Sequence, residues 1–263
     1  MPLGKIEGEI LRLLSRNRNP DSHVGGATVL NQSPQSPRSS KDIDLFHDTR
    51  DAINRAFEDD VHLLRSSGYE VKVLMDRETL KRAGVSKEGG QTKLEWLQDS
   101  SFRFFPVQQD VEMGYRLHYW DAATNKVLAA ASRNVIRDYI DLVYIHQQRL
   151  SLGALVWAAA GKDDGLSPLF IIEEMVRLQR YPAVAYEEVT FTQPFDRKEA
   201  KIVWLDAIRQ ARVLCGEILL DAPYGCLFLN DEGEPVTPTA ETWRILKPHY
   251  GKIRGAWPRI AED

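Results

Sequence analysis

The sequence predicts an α+β fold: a mixed sheet with flanking helices, followed by a mainly helical C-terminal region. Short segments that alternate charged and apolar residues are concentrated between residues 20 and 120. Apolar residues then recur at three- and four-residue spacings through most of the remaining chain. For a chain of 263 residues this pattern indicates two domains, and we place them at residues 1–120 and 121–263.

The composition excludes several classes of protein. Hydrophobic residues make up 43% and charged residues 27%, as in an ordinary globular protein. The net charge of −4 disfavours a strongly basic architectural nucleic-acid binder. Cys215 and Cys226 are too few for a disulfide framework or a cysteine-rich zinc site. No apolar run approaches the roughly 18 residues of a membrane span, so we expect a cytoplasmic protein with no membrane association.

In the first domain, an amphipathic N-terminal helix precedes strands arranged around a second helix. That second helix runs from about Thr49, its N-cap, to Gly68, with apolar residues four, four and three positions apart. Segment 31–40, rich in serine and proline, is predicted to be a loop. The predicted strands are 41–46, 70–74 and 93–97, with further β-type sequence at 101–107 and 115–120.

In the second domain, the pattern predicts three helices and a short strand. One helix runs from Asp121 to about Gln148. Ser167 and Pro168 have the N-cap and N1 signature of the next helix. The remaining predicted elements are a helix over 198–220 and a strand at 226–229.

Asp42 and Asp44 are the main chemical clue. Strand alternation directs Ile43 and Leu45 to the core and leaves both aspartates on the other face, about 6–7 Å apart along the strand. Such carboxylates repel each other unless a cation lies between them, and Mg²⁺ takes oxygen ligands from one or two carboxylates plus substrate phosphates. The alternative is a solvated strand edge with two exposed aspartates.

Potential phosphate-binding groups lie close to this pair in the sequence. Gly25 and Gly26 form a turn in which backbone amides can approach a phosphate. Arg38, Ser39 and Ser40 immediately precede the strand and could donate hydrogen bonds to a triphosphate.

Together these segments resemble nucleotidyltransferases of the AbiEii/AbiGii type. The resemblance begins with the glycine pair and the Arg38–Phe46 run and continues at residues 99–107. It is strongest over 121–142, which is similar to the family's lysine motif and its Arg-Asp-x-x-Asp motif. The four motifs occur in family order within residues 20–145. The resemblance implies a polymerase-β-like fold, and many members are toxins of type IV toxin–antitoxin pairs.

The resemblance also implies roles for individual residues. An enzyme of this type moves a nucleoside monophosphate from a nucleoside triphosphate to an acceptor hydroxyl. The acceptor could be RNA (tRNA 3′ ends in some relatives), a protein side chain or a small molecule, and a cognate antitoxin would be a partner. Mg²⁺ or Mn²⁺ would be bound by Asp42 and Asp44, with Glu95 as the candidate third carboxylate; the alternative for Glu95 is an exposed strand glutamate. The catalytic set is Asp42, Asp44, Lys126 and Asp141, and the nucleotide-binding set is Gly25, Gly26, Arg38, Ser39, Ser40, Lys126, Arg133 and Arg137.

A continuous helix over 121–148 would group several of these charges. At about 100° per residue, Lys126, Arg133, Arg137 and Asp141 fall within roughly 80° of one another. Asp138 falls on the apolar stripe, where a carboxylate must be paired or metal-bound. We therefore expect Asp141 to face the nucleotide and Asp138 to face the packing.

Two alternatives remain for this helix, and a third applies to the whole protein. Arg137 and Asp141 could form a solvated i,i+4 pair, and Asp138 could serve only to hold Arg133 or Arg137. The chain could also be a catalytically silent module of the same fold that binds a nucleotide or a partner.

Overall fold

The computed structural model describes residues 3–258, which form two compact units. The first comprises the residues up to Ser101 together with Pro106–Ala122, and the second comprises Phe102–Phe105 and the residues from Ala123 onward. No helix in the described part of the chain is long and apolar enough to cross a membrane.

The helices are α1 (Lys5–Leu14), α2 (Gly26–Leu30), α3 (Arg50–Ser66), α4 (Tyr119–Ser132), α5 (Ile136–Gln148), α6 (Leu152–Ala160), α7 (Pro168–Leu178) and α8 (Arg197–Val213). The strands are β1 (Ser22–Val24), β2 (Asp42–His47), β3 (Glu70–Arg77), β4 (Leu80–Lys87), β5 (Gly90–Gln98), β6 (Phe102–Arg103), β7 (Gln108–Asp110), β8 (Gly114–Arg116), β9 (Cys226–Leu229), β10 (Lys247–Tyr250) and β11 (Lys252–Ile253).

The first unit is built on a mixed seven-stranded sheet in the order β3-β4-β5-β2-β1-β8-β7. β2 is the central strand, parallel to β5 and antiparallel to β1. Its side chains alternate in burial, so Ile43 and Leu45 are fully buried. The helices α1 and α3 pack on the sheet. The Thr49 hydroxyl caps α3 by accepting a hydrogen bond from the Ala52 N–H, as the sequence predicts.

A buried ion pair ties the segment after α1 to this core. The guanidinium of Arg18 donates to both carboxylate oxygens of Asp60 at 2.6 Å. The Trp96 indole N–H also donates to Asp60, at 2.8 Å, and the Asn17 amide donates to it at the same distance. Because Trp96 lies on β5, this cluster fixes α3 against the strand that neighbours β2.

The second unit is mainly helical. All nine residues of α6 are buried, and this helix contacts α5, α7, α8 and β9. The predicted cap at Ser167 and the proline at the start of α7 are confirmed. β9 pairs with β10, and β6 pairs with β11. Because of the pairing of β6 with β11, residues 102–105 belong to the second unit, whereas the boundary predicted from the sequence puts them in the first.

The predicted fold class is confirmed: a mixed sheet with flanking helices precedes a mainly helical region. Several single elements differ from the prediction. The sequence pattern did not predict β4, and residues 119–120 begin α4 instead of continuing a strand. The expected helix over 121–148 is two helices, because α4 ends at Ser132 and Val135 adopts an extended conformation before α5.

Candidate active site

The central strand presents Asp42 and Asp44 side by side on the face opposite its buried residues. Both are half-buried, and the Asp42 side chain is 21% exposed. The parallel register places Lys93 beside Asp42 and Glu95 beside Asp44. Arg82 lies opposite Glu95 on β4. We call this set of five side chains the charged face.

The Gly25-Gly26 turn packs directly against this face. The Gly25 N–H donates to the backbone oxygen of Asp44 at 3.0 Å. Gly26 has φ +60°, and a Cβ at this position would overlap the Asp44 carboxylate. Glycine is therefore required here both by the backbone conformation and by the space that Asp44 occupies.

Two hydroxyl groups fix the backbone of Asp42. The Ser40 hydroxyl donates to the Asp42 backbone oxygen at 2.9 Å, and the Thr28 hydroxyl donates to the same oxygen at 3.3 Å. Sequence reasoning missed Thr28, and it predicted Ser40 as a nucleotide contact. The hydroxyl of Ser40 is used here to hold β2 in place.

The other predicted phosphate contacts of this unit lie at the entry to β2. Arg38 is almost fully buried, and its guanidinium donates to the Ser39 backbone oxygen at 3.2 Å. Ser39 is half-buried. The predicted contacts of Arg38, Ser39 and Ser40 with a nucleotide stay predictions.

Positive side chains occupy part of the charged face. The Lys93 ammonium lies 3.4 Å from the Asp42 carboxylate and 3.0 Å from that of Glu95. Arg82 donates to the same Glu95 oxygen at 2.8 Å. Glu95 thus has two cationic partners. Sequence reasoning named Glu95 but missed Lys93 and Arg82, although strand alternation places Lys93 and Glu95 on the same face.

The donor set suits a hard divalent cation. Asp42 and Asp44 offer carboxylate oxygens on one face, and Mg²⁺ commonly takes one or two carboxylates and completes its coordination with water and substrate phosphates. Within residues 3–258, no three His, Cys, Asp or Glu side chains are grouped as ligands of a metal ion. Asp42 and Asp44 are therefore candidate ligands for such a cation.

Four of the remaining predicted site residues form a cluster in the second unit, which we call the lysine cluster: Lys126, Arg133, Asp138 and Asp141. Three of them, Lys126, Asp138 and Asp141, are buried, whereas the Arg133 side chain is 55% exposed. The Lys126 ammonium contacts Asp138 at 2.9 Å and Asp141 at 3.3 Å. Arg133 donates to both oxygens of Asp138, at 2.8 and 3.1 Å. Arg137, in the first turn of α5, is half-buried.

This geometry corrects the predicted separation of Asp138 from Asp141, because both carboxylates contact Lys126. On a straight helix, Lys126 and Asp138 would be about 18 Å apart along the axis. The break at residues 133–135 brings them together instead. Asp138 is buried and paired with Arg133, which was one of the alternatives that the sequence left open.

The charges of the lysine cluster also act on Asp138. Burial alone would raise the pKa of this carboxyl, but the Lys126 ammonium and the Arg133 guanidinium outweigh that effect. The pKa of Asp138 is therefore held below its ordinary value. Lys126 lies in the middle of α4, and its charge is balanced by two aspartates.

Comparisons with known proteins find similarity in structure but not in sequence families. Neither a scan against protein-family models nor a search of curated proteins gives a match. The chain is similar to JHP933 from Helicobacter pylori, with a TM-score of 0.50 and 15% identity over 81% of this chain and 92% of that one.

Two further solved structures are similar. One is a candidate nucleotidyltransferase from H. pylori, with a TM-score of 0.48 and 14% identity over 81% of this chain and 95% of the other. The other is MenT4, a nucleotidyltransferase toxin from Mycobacterium tuberculosis H37Rv, with a TM-score of 0.46 and 14% identity over 78% of this chain and 91% of the other. At such identities a likeness is one of fold, and the chain shares the fold of JHP933.

Proposed function

We propose that this chain is a metal-dependent nucleotidyltransferase of the polymerase-β-like AbiEii/AbiGii type. The observation that carries the proposal is the Asp42–Asp44 pair on the central strand, with the Gly25-Gly26 turn packed against Asp44. The order of the four sequence motifs supports the same function. An exposed strand edge would not require a glycine turn fitted around one of its carboxylates.

The proposed reaction moves a nucleoside monophosphate to an acceptor. The acceptor hydroxyl oxygen attacks the α-phosphorus, a new P–O bond forms, and the bond from the α-phosphorus to the bridging oxygen breaks. Pyrophosphate leaves with that bond's electron pair, and the hydroxyl proton passes to solvent.

The chain's own residues would position the substrate. Asp42 and Asp44 would hold Mg²⁺ or Mn²⁺, which supplies electrostatic stabilisation of the phosphate oxygens when bound. Thr28 and Ser40 keep the Asp42 backbone in place. Glu95 stays the proposed third metal ligand. To bind the metal, its carboxylate would have to release Lys93 or Arg82. Lys126 and Asp141 stay proposed catalytic residues on the strength of the motif resemblance.

The acceptor and the biological role follow from the motif resemblance. We propose RNA, including tRNA 3′ ends, as the acceptor, and the role of toxin in a type IV toxin–antitoxin pair with a cognate antitoxin as partner. The nucleotide itself has to be identified by experiment.

Label transfer tests the proposed function. The full chain is incubated with Mg²⁺, total RNA and each nucleoside triphosphate labelled at the α-phosphate, alongside Asp44→Asn and the matched control Asp59→Asn, whose aspartate is exposed on α3. We expect labelled RNA from the wild type and the control but not from Asp44→Asn. A thermal shift with Mg²⁺ and nucleotide, without label in RNA, protein or a small molecule, would identify the silent binding module instead. Label in protein alone would support transfer and overturn the RNA acceptor.

A further inference from the structure

Lys93 has an unusual position for a cation in a proposed metal site. Its ammonium lies between two strands and contacts the carboxylate of Asp42 on β2 and that of Glu95 on its own strand. Asp42 is one of the two proposed metal ligands. A positive side chain thus lies beside an oxygen that a divalent cation would use.

Lys93 is held there by the geometry of the sheet. The parallel register aligns Lys93 with Asp42, and strand alternation puts Glu95 on the same face. Arg82 fixes the Glu95 carboxylate, which is only 14% exposed. Lys93 itself is 35% exposed, so its ammonium can move into solvent without leaving a buried charge.

The charges on this face favour such a lysine when no metal is bound. Asp42, Asp44 and Glu95 bring three negative charges to neighbouring positions, and Arg82 and Lys93 bring two positive ones. Arg82 contacts Glu95. Lys93 contacts Asp42, and its positive charge therefore relieves part of the repulsion that a metal ion would otherwise relieve.

We propose that Lys93 is an internal counter-ion that competes with the divalent cation for Asp42. The proposal rests on the proposed function, because it assumes that Asp42 is a metal ligand. Metal entry requires the ammonium to leave Asp42, so the protein alone binds the metal weakly. A nucleoside triphosphate that brings its own cation adds phosphate ligands to that cation and so shifts the competition for Asp42 toward metal binding. Lys93 thereby couples metal occupancy to nucleotide binding.

Metal binding without nucleotide tests the competition directly. Free Mn²⁺ is measured by electron paramagnetic resonance during titration of the full chain, for wild type, Lys93→Met and Lys93→Arg. The control Lys72→Met removes the same charge from an exposed position on β3. We expect Lys93→Met to bind Mn²⁺ roughly fivefold more tightly. Lys93→Arg and Lys72→Met should stay within about twofold of wild type.

Further variants separate this proposal from the proposed function. Asp42→Asn should bind Mn²⁺ more weakly than wild type, and the double variant Asp42→Asn/Lys93→Met should not show the higher Mn²⁺ affinity of Lys93→Met. This result would show that the gain in affinity acts through Asp42. Unchanged or weaker binding in Lys93→Met, with binding still lost in Asp42→Asn, would overturn the role of Lys93 and leave the metal site standing. A Mn²⁺ affinity that is unchanged by the loss of Asp42 in every variant would overturn both the role of Lys93 and the metal site. Thermal melts check the fold of each variant, and Lys93→Gln replaces Lys93→Met if the latter does not fold.

Discussion

The charged face and the lysine cluster contain the same chemical groups in opposite environments. In each, a lysine ammonium contacts two carboxylates at 2.9–3.4 Å. On the charged face, Asp42 is 21% exposed and its lysine 35% exposed. In the lysine cluster, Asp138 is 1% exposed and its lysine 8% exposed.

The difference in burial separates replaceable ion pairs from fixed ones. A partly exposed ion pair contributes about 0–1 kcal/mol, so an incoming ion or phosphate can replace either partner at small cost. Breaking a buried pair leaves an uncompensated charge and costs about 3–5 kcal/mol. We infer that the charged face is suited to ligand exchange, whereas the lysine cluster holds α4 and α5 together.

The largest effect is expected for Asp42→Asn on activity. We expect nucleotide transfer to fall by about 1,000-fold or more, because the substitution removes a carboxylate that would hold the cation. The free energy of unfolding should change by less than about 1 kcal/mol, since the lost pair with Lys93 is partly exposed. Transfer assays and urea denaturation measure the two quantities. Near-wild-type transfer would exclude Asp42 as a metal ligand, and a large loss of stability would place its ion pair among the fixed ones.

Lys126→Met applies the same test to the lysine cluster. We expect a loss of about 3–5 kcal/mol in the free energy of unfolding, because Asp138 and Asp141 would keep their buried charges without the ammonium. Urea denaturation gives the value, and Lys201→Met on the exposed side of α8 is the control.

Nucleotide affinity shows whether Lys126 has a second role. If Lys126 also contacts the β- and γ-phosphates, the variant should lose more affinity for a triphosphate than for a monophosphate. An equal loss for both ligands would restrict Lys126 to holding the lysine cluster together.

The two aspartates of the lysine cluster should differ in their contribution to stability. Asp138 accepts hydrogen bonds from both Lys126 and Arg133, whereas Asp141 contacts Lys126 at the longer distance of 3.3 Å. We therefore expect Asp138→Ala to lower the free energy of unfolding by about 3 kcal/mol and Asp141→Ala to lower it less. Equal losses in parallel urea titrations would contradict this ranking. A larger loss of activity in Asp141→Ala would support its proposed catalytic role.

The pH dependence of stability should also distinguish the buried side of β2 from the lysine cluster. Burial, reinforced by the positive charge of Arg18, lowers the pKa of His47 on β2 to about 4. The unfolded chain binds this proton near pH 6.5, so stability is complete above that pH and falls as the pH drops toward 4. We expect His47→Gln to remove about 2–3 kcal/mol of that fall between pH 7 and 4.5.

The contribution of Asp138 to stability should be lost at a lower pH than that of His47. Its pKa is lowered in the folded protein, so its contribution is present above the unfolded value of about 3.9 and is lost as the pH falls through the lower folded value. Denaturation at pH 7, 4.5 and 3 measures both effects. A His47→Gln variant with the wild-type pH profile would contradict the assignment for His47.

Local signals in the sequence account for much of the fold. Thr49 and Ser167 are capping residues whose position defines the start of a helix without help from tertiary structure. The alternation in β2 predicts which side chains of that strand are buried and places Asp42 and Asp44 together on the other face.

Tertiary interactions decide the features that the sequence pattern does not predict. The buried positions of β4 are Lys81, Ala83 and Val85, a weakly apolar set that does not stand out as a strand. The break before α5 contains no proline or glycine, and the long-range contacts of Lys126 with α5 accompany it. The contact of Lys93 with Asp42 depends on the pairing register of β2 and β5, which the sequence pattern does not predict.

The most direct test of nucleotidyl transfer compares two labels on one nucleotide. The full chain is incubated with Mg²⁺, total RNA and the same nucleoside triphosphate labelled either at the α- or at the γ-phosphate, with Asp42→Asn run in parallel. We expect the α-label in RNA and the γ-label in released pyrophosphate, and neither in the variant. Transfer of the γ-label to the acceptor, or release of inorganic phosphate without any labelled acceptor, would contradict nucleotidyl transfer by this protein.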